Sequence, residues 1–181
     1  MTPDRENIRF NVLRNALYHT ARRLTFERWN RIFNFLVVLL GAAAMGDVLA
    51  AVGVGFVWPA GAVAVVGAAQ LVFDFGRMAR DHQELQRSYY DLLADIEEHT
   101  DADQTQCAKW YARMIRITGS EPPTLRAIDA KAYNDALDAL GLHDGGERLI
   151  IPLWQRPLAG LVSFEGTSYR KASELRDAAK G

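Results

Sequence analysis

Residues 32–73 read "IFNFLVVLLGAAAMGDVLAAVGVGFVWPAGAVAVVGAAQLVF" and carry one charged side chain, that of Asp47. A helix of about 20 apolar residues is long enough to cross a bilayer. The run has room for two such helices, and the cluster "GVGFVWPAG" supplies the Gly and Pro residues of a turn between them. Pro59 suits the first turn of the second helix. We therefore predict two transmembrane helices, at about residues 32–52 and 59–75.

The rest of the chain is richly charged, and its charge balance gives no reason to expect a nucleic-acid partner. The 181 residues include 21 Lys and Arg against 22 Asp and Glu, for a net charge of −1. The single cysteine, Cys107, excludes an intramolecular disulfide and a Cys-based zinc site, and we expect it to be a small apolar filler. A buried soluble hairpin is the alternative to a membrane hairpin. It would need more apolar surface elsewhere in the chain than the sequence offers.

The charges that flank the apolar run set its orientation. Arg residues precede the first span and follow the second, whereas the turn contains no Lys or Arg. The positive-inside rule therefore predicts that both termini are cytoplasmic. Trp29 and Trp58 lie near opposite ends of the first span and its turn, where interfacial aromatic residues are expected. The flanking residues are Arg5, Arg9, Arg14, Arg22, Arg23, Arg28 and Arg31 before the run, and Arg77, Arg80 and Arg87 after it.

The flanks themselves are predicted to be helical and to pair as a stalk of the coiled-coil kind. Apolar residues recur at spacings of three and four on both sides of the membrane run. We expect two long antiparallel helices, roughly 5–52 and 59–99. Folding the chain about residue 56 pairs position i with about 112 − i, which places Arg28 opposite Glu84 and Arg31 opposite Asp81. The apolar positions are Phe10, Leu13, Leu17, Ala21 and Leu24 on one helix, and Leu85, Tyr89, Leu92 and Ile96 on the other.

The fold class that follows is an all-α membrane protein with two parts. Residues 1–100 form the hairpin and its cytoplasmic stalk, and residues 101–181 form a cytoplasmic helical extension. Within the extension, the polar turn "TDADQT" precedes a helix over about 104–117, and a further helix over about 124–140 is stopped by Gly141. The segment "RLIIPLWQRPLAGLVSFEG" (148–166) is expected to be a short extended pair, or to lie on the stalk or the lipid surface.

Small residues recur every fourth position in both predicted spans, and such rows let helix backbones approach closely. They either close the hairpin within one chain or join subunits of a homo-oligomer, and the sequence supports both readings equally. The residues concerned are Ala42, Gly46 and Ala50 in the first span, and Ala60, Ala64 and Ala68 in the second.

Asp47 is the residue with the clearest functional interest, because a carboxylate within the membrane is costly unless protein or water surrounds it. It lies about five residues from the outer end of the first span. One reading is that it reaches the water of the outer leaflet. The other is that it faces a subunit interface or a wet pore.

No catalytic, cofactor-binding or metal-binding pattern is present in the sequence. It has no phosphate-binding Gly-rich loop, no Walker lysine and no nucleophile elbow. His19 and His82 lack a His or carboxylate partner at i, i+4, and Asp81 and Glu84 beside His82 are typical of a solvated helix surface. We therefore predict that the protein is not an enzyme and needs no cofactor.

The order of these features resembles the SLATT family of two-transmembrane proteins associated with bacterial nucleotide-signalling and conflict systems. The resemblance covers about residues 5–100. It is carried by "ALYHTARRLTFERWNRIFNFLVVLLG" (16–41) and "AAQLVFDFGRMARDHQELQRSYYDLLADIE" (68–97), notably "YH", "LVFDF" and "DHQEL". It implies an effector that oligomerises and permeabilises the bacterial inner membrane when a sensor detects infection. It implies no catalytic residues.

These observations lead to one favoured function and two alternatives. The favoured function is a multi-pass inner-membrane protein that contacts lipid and forms a homo-oligomeric pore in antiphage defence, with a nucleotide-signalling or sensor protein as a further candidate partner. The alternatives are a membrane-anchored scaffold that binds a cytoplasmic partner, and a phage holin-like protein.

Overall fold

The computed structural model of the chain is helical, and it describes residues 3–45, 57–142 and 145–178. The helices are α1 (Arg5–Met45), α2 (Val57–Phe73), α3 (Phe75–Glu98), α4 (Gln104–Thr118), α5 (Arg126–Ala139) and α6 (Ala172–Ala178). Among these described residues there is no strand, only an isolated bridge between Leu149 and Lys171. The predicted all-helical class is confirmed.

The second long helix differs from the prediction, because it is interrupted at Asp74. The sequence predicts one helix over 59–99, whereas α2 ends at Phe73 and α3 begins at Phe75. Asp74 has a φ of 37°, which is left-handed backbone that Asp tolerates better than most residues. Its carboxylate accepts a hydrogen bond from the backbone N–H of Arg77 at 3.1 Å, so it acts as the N-cap of α3.

The chain divides into two compact units. One unit contains Arg23–Asp81, and the other contains Met1–Arg22 together with His82–Gly181. The second unit therefore draws on residues from both sides of the predicted division at residue 100. The reason is that α4 and α5 pack on residues 5–22 of α1 and residues 82–98 of α3 instead of folding by themselves.

The unit that contains both termini has its core between α1, α3 and α4. Trp110 is 1% exposed, and its indole N–H donates to Asp95 Oδ2 at 3.0 Å. Cys107 is buried here, as expected for an apolar filler. Burial of the apolar faces of α1 and α3 against α4 supplies the hydrophobic stabilisation that amphipathic helices need. The core residues are Ile8, Val12, Ala16, Tyr89, Leu92, Ile96, Cys107 and Trp110.

The C-terminal helices begin and end close to their predicted positions because their capping signals are local. The carboxylate of Asp103 accepts from the N–H of Gln106 at 2.7 Å and so caps α4. After α5, Gly141 takes a φ of 69°, the left-handed conformation that commonly ends a helix. Within α5, the side-chain amide of Asn134 forms hydrogen bonds with both the N–H and the C=O of Leu149. These bonds hold the segment around Leu149 against α5.

The unit of residues 23–81 contains the second half of α1, all of α2 and the first residues of α3. Phe75 lies at the centre of an aromatic cluster in this unit. Its ring centroid is 5.1 Å from that of Phe33 and 6.4 Å from that of Trp29. Phe26 and Phe73 complete the cluster.

The predicted helix register is wrong by roughly two to three helical turns. Folding about residue 56 places Leu93 opposite His19, whereas His19 contacts His82. In the other unit the same rule places Met78 opposite Asn34, whereas Asn34 accepts a hydrogen bond from Gln70. Apolar stripes repeat along both helices, so a slip by whole turns leaves apolar residues facing each other. Agreement between the stripes therefore could not fix the register.

Candidate functional site

Apolar side chains of both α1 and α2 remain exposed in the unit of residues 23–81. On α1, Phe35 and Val38 are 64% and 70% exposed, and on α2, Leu71 is 83% exposed. The helical stretch Gly61–Glu98, which includes α2, the break at Asp74 and α3, contains an 18-residue window apolar enough to cross a membrane, and 6% of that window is buried. Among the described residues no other helix meets that criterion. An apolar surface of this extent marks contact with lipid or with another protein.

Of the small residues in the two predicted rows, those whose side chains the structure describes are exposed. Ala42 on α1 and Ala64 and Ala68 on α2 all lie on exposed faces. A Cβ added at Gly41, Gly61 or Gly67 would meet no neighbouring atom within 4 Å. These described positions therefore do not form a close contact between the two helices of one chain.

Several of the predicted site residues lie outside the described part of the chain. Gly46, Asp47 and Ala50 belong to residues 46–56, which the structure does not describe. Trp58 and Ala60 belong to α2, but their side chains also lie outside what is described. The roles assigned to these residues remain predictions.

Trp29 lies partly exposed within the aromatic cluster around Phe75. This places an indole beside the end of α2, at the edge of the predicted second span. Trp at such an edge is typical of a membrane–water interface. Within the cluster, Phe73 and Phe75 stack on each other across the break at Asp74.

Of the two predicted stalk ion pairs, Arg28 with Glu84 joins residues of the two different units and stays a prediction. Arg31 and Asp81 belong to the same unit, and their contacts are made within their own helices. Arg31 Nε donates to the carbonyl of Glu27 at 3.3 Å, and Asp81 lies 3.9 Å from Arg77. An ion pair that does join α1 and α3 lies near the start of α1 and the end of α3, where Arg9 Nε contacts Glu97 at 2.5 Å.

A buried pair of histidines joins α1 to α3. His19 Nδ1 lies 2.8 Å from His82 Nδ1, and the two side chains belong to residues that are 0% and 4% exposed. One of these nitrogens must carry a proton and the other must accept it. The ring of His19 stacks on that of Tyr89, with centroids 5.7 Å apart.

Glu121, in the connection between α4 and α5, lies next to His19 on the side of the imidazole ring opposite His82. His19 Nε2 lies 3.2 Å from Glu121 Oε1, but the two atoms are not aligned as a hydrogen bond. Tyr89 donates its phenolic proton to the same carboxylate and accepts from Thr118 Oγ1 at 2.8 Å. The network therefore ties α1, α3 and the end of α4 together through polar atoms.

Burial favours the uncharged forms of His82 and Tyr89. Burial, and then the neighbouring His19 and Arg22, lower the pKa of His82 to about 4, with Glu121 acting in the opposite direction. Burial, and then the hydrogen bond to Glu121, raise the pKa of Tyr89. Burial also lowers the pKa of Arg22. We refer to His19, His82, Tyr89 and Glu121 as the histidine network.

Sequence reasoning missed the histidine network and assigned His82 to a solvated surface. His19 and His82 are far apart in the chain, and Glu121 follows the helix break "TGSEPP". A local search at i, i+4 cannot detect such a grouping. The available signal was that His19 continues the row Ile8, Val12 and Ala16, and that His82 continues the row of Leu85 and Tyr89, at spacings of three and four. Using this signal requires the correct register.

The histidine network does not present a metal site. Within the described ranges, no group of three or more His, Cys, Asp or Glu side chains is placed to hold a metal ion. Comparison with known proteins adds no assignment, since no family model, curated protein or solved structure matches the chain.

Proposed function

We propose that this protein is a non-enzymatic, multi-pass membrane protein that inserts as a two-helix hairpin and assembles with copies of itself. On this proposal it is a SLATT-like effector of bacterial antiphage defence that permeabilises the inner membrane. The observation that carries the proposal is the exposure of apolar side chains on both α1 and α2.

A soluble hairpin would be expected to cover those side chains with the rest of the chain. Phe35, Val38 and Leu39 on α1 are more than half exposed, as are Val65 and Val72 on α2. Exposing such side chains to water would cost roughly 1.5–3 kcal/mol for each large side chain. Lipid removes that cost, so a bilayer is the environment in which this unit is stable.

Self-assembly is supported by the exposed row of small residues. Ala64 and Ala68 are exposed within their own chain. In a membrane, small residues on an outer face allow close backbone contact with a second copy. Of the two readings of this row, the one that joins subunits is the better supported.

The test is a reconstitution experiment that compares substitutions to leucine inside and outside the row. Ala64→Leu and Ala68→Leu add bulk to the row, whereas Val65→Leu adds one methylene at an exposed position outside it. Wild type and Val65→Leu should form the same oligomers and release a trapped dye from vesicles at similar rates. The two alanine variants should insert but assemble and release dye less. Assembly without dye release by wild type would favour the scaffold alternative.

Asp47 gives a second arm of the same experiment. If it faces a subunit interface or a wet pore, Asp47→Asn should change oligomer mass or ion flux while the hairpin still inserts. Asp47→Leu should insert more easily but should impair conduction through a hydrated ring. Equal mass and flux for wild type and both variants would leave Asp47 as a surface charge of the outer leaflet.

A further inference from the structure

Residues 150–164 form a second exposed apolar surface, in the unit that contains the termini. Leu153, Trp154 and Leu161 are 75%, 62% and 66% exposed. Ile150, Leu158 and Val162 are exposed as well. We call residues 150–164 the apolar segment. Within the described residues these side chains stay uncovered, and an exposed apolar surface of this kind marks contact with a partner.

The apolar segment is firmly held despite its exposure. Successive backbone hydrogen bonds of the turn type run through it, including Gln155 N–H to Pro152 at 3.0 Å and Leu161 N–H to Leu158 at 2.9 Å. The side chain of Gln155 points inward, is 5% exposed and accepts from Tyr169 at 2.7 Å. At the end of the segment, the carbonyl of Ser163 accepts from the N–H of Arg126 at 3.1 Å. A fixed backbone therefore presents Leu153, Trp154 and Leu161 outward.

The segment is attached directly to α1. Arg22 donates a hydrogen bond to the carbonyl of Gly160 at 2.9 Å, and Ala159 packs against the buried cluster that contains Tyr18 of α1. The expectation that residues 148–166 lie on the stalk is therefore confirmed for the contact with α1. The alternative of an extended pair is limited, among the described residues, to the single bridge between Leu149 and Lys171. The helix that holds the segment is the one that continues in sequence to the apolar run beginning at Ile32.

We propose that the apolar segment lies in the headgroup region of the anionic, cytoplasmic membrane leaflet. This inference rests on the proposed insertion of the hairpin and adds a second contact with the same bilayer. Trp and Leu side chains are typical of residues that enter this region. The apolar segment contains one charged side chain, the exposed Arg156, and no Asp or Glu, which suits a negatively charged lipid surface.

Charge also decides between lipid and a second copy of the chain. In a two-fold dimer the segment of one copy would meet the same segment of the other. Arg156 of each copy would then be brought against the segment of the other copy, which contains no carboxylate that could pair with it. Anionic lipid supplies the missing negative charge, so the membrane is the occupant that the composition favours.

The proposal is tested with single fluorescent labels on the full chain in vesicles. Cys107→Ala removes the natural thiol, and Leu153→Cys or Leu161→Cys then introduces one label site. The vesicles combine phosphatidylcholine and phosphatidylglycerol, with or without brominated acyl chains that quench nearby fluorophores. Labels at both positions should lose about half of their emission in brominated vesicles, as expected for side chains at the acyl boundary. Purely zwitterionic vesicles should reduce the quenching.

Two matched positions make the outcome interpretable. Ile115 on α4 is a similarly exposed apolar residue of the same unit outside the segment, and a label at Ile115→Cys should not be quenched. A label at Val65→Cys reports the proposed span and should be strongly quenched. Quenching at residue 65 but not at 153 or 161 overturns the apolar-segment proposal and leaves the hairpin intact. Absence of quenching at residue 65 overturns the proposed function itself.

A second copy of the chain would give a different signature. Emission at residues 153 and 161 would then change when labelled protein is diluted with unlabelled protein, and it would not respond to brominated lipid. That result would also overturn the proposal. A final variant, Trp154→Gln in the Leu161→Cys chain, should reduce quenching of the label because the segment then has less apolar surface to bury.

Discussion

At the scale of single residues, His82 makes the stability of the protein depend on pH. Its folded pKa of about 4 lies below the ordinary value of 6.5, so the folded state favours the neutral ring. The contribution is fully present above pH 6.5 and is lost as the pH falls toward 4, because the unfolded chain then binds a proton that the folded chain resists. The full shift corresponds to roughly 2–4 kcal/mol.

We expect His82→Gln to remove most of this dependence. Gln keeps an amide that can bond His19 but does not titrate. Between pH 7.5 and 4.5, the thermal midpoint of wild type in detergent should fall further than that of the variant. The control is His99→Gln, since His99 is half exposed and lies outside the histidine network. Parallel curves for wild type and His82→Gln would show that another group causes the acid sensitivity.

At the scale of elements, Asp74 separates α2 from α3 through its left-handed backbone. Gly adopts a φ of 37° without strain but cannot cap α3, so Asp74→Gly should change stability by less than about 1 kcal/mol. A β-branched residue is strained in left-handed backbone and also lacks the capping carboxylate. Asp74→Val should therefore lower the free energy of unfolding by about 2–4 kcal/mol. Thermal unfolding of the two variants in detergent measures the difference. Equal stabilities would mean that the helix continues through residue 74.

The pairing of α1 with α2 is a second prediction at this scale. With Cys107 replaced by Ala, Asn34→Cys combined with Gln70→Cys should react efficiently with a short bifunctional maleimide, because the native side chains are hydrogen-bonded. Asn34→Cys combined with Met78→Cys corresponds to folding about residue 56 and should react poorly. The reverse result would support the register in which the chain folds about residue 56.

At the scale of the whole molecule, the sequence predicts elements better than their pairing. Asp103 and Gly141 are local signals, and the ends of α4 and α5 lie within about two residues of their predicted positions. The left-handed residue Asp74 has no such signal, because Asp is common in ordinary helices and caps. The histidine network depends on contacts between distant parts of the chain. Repeating apolar stripes leave those contacts open to slips by whole turns, so neither the register nor the network could be derived.

The last prediction concerns the topology of the whole chain. Arg residues flank both ends of the apolar run and none lies in its turn, so both termini should be cytoplasmic. In a chain with Cys107 replaced by Ala, a membrane-impermeant thiol reagent added to intact cells should label Gly55→Cys but not Arg5→Cys or Lys180→Cys. All three should be labelled after the cells are lysed, which controls for accessibility. Labelling of one terminus from outside would mean a single crossing, and α1 would then have to bury its exposed Phe35 and Val38 against another partner. Labelling of both termini would reverse the hairpin and would place the apolar segment at the outer leaflet.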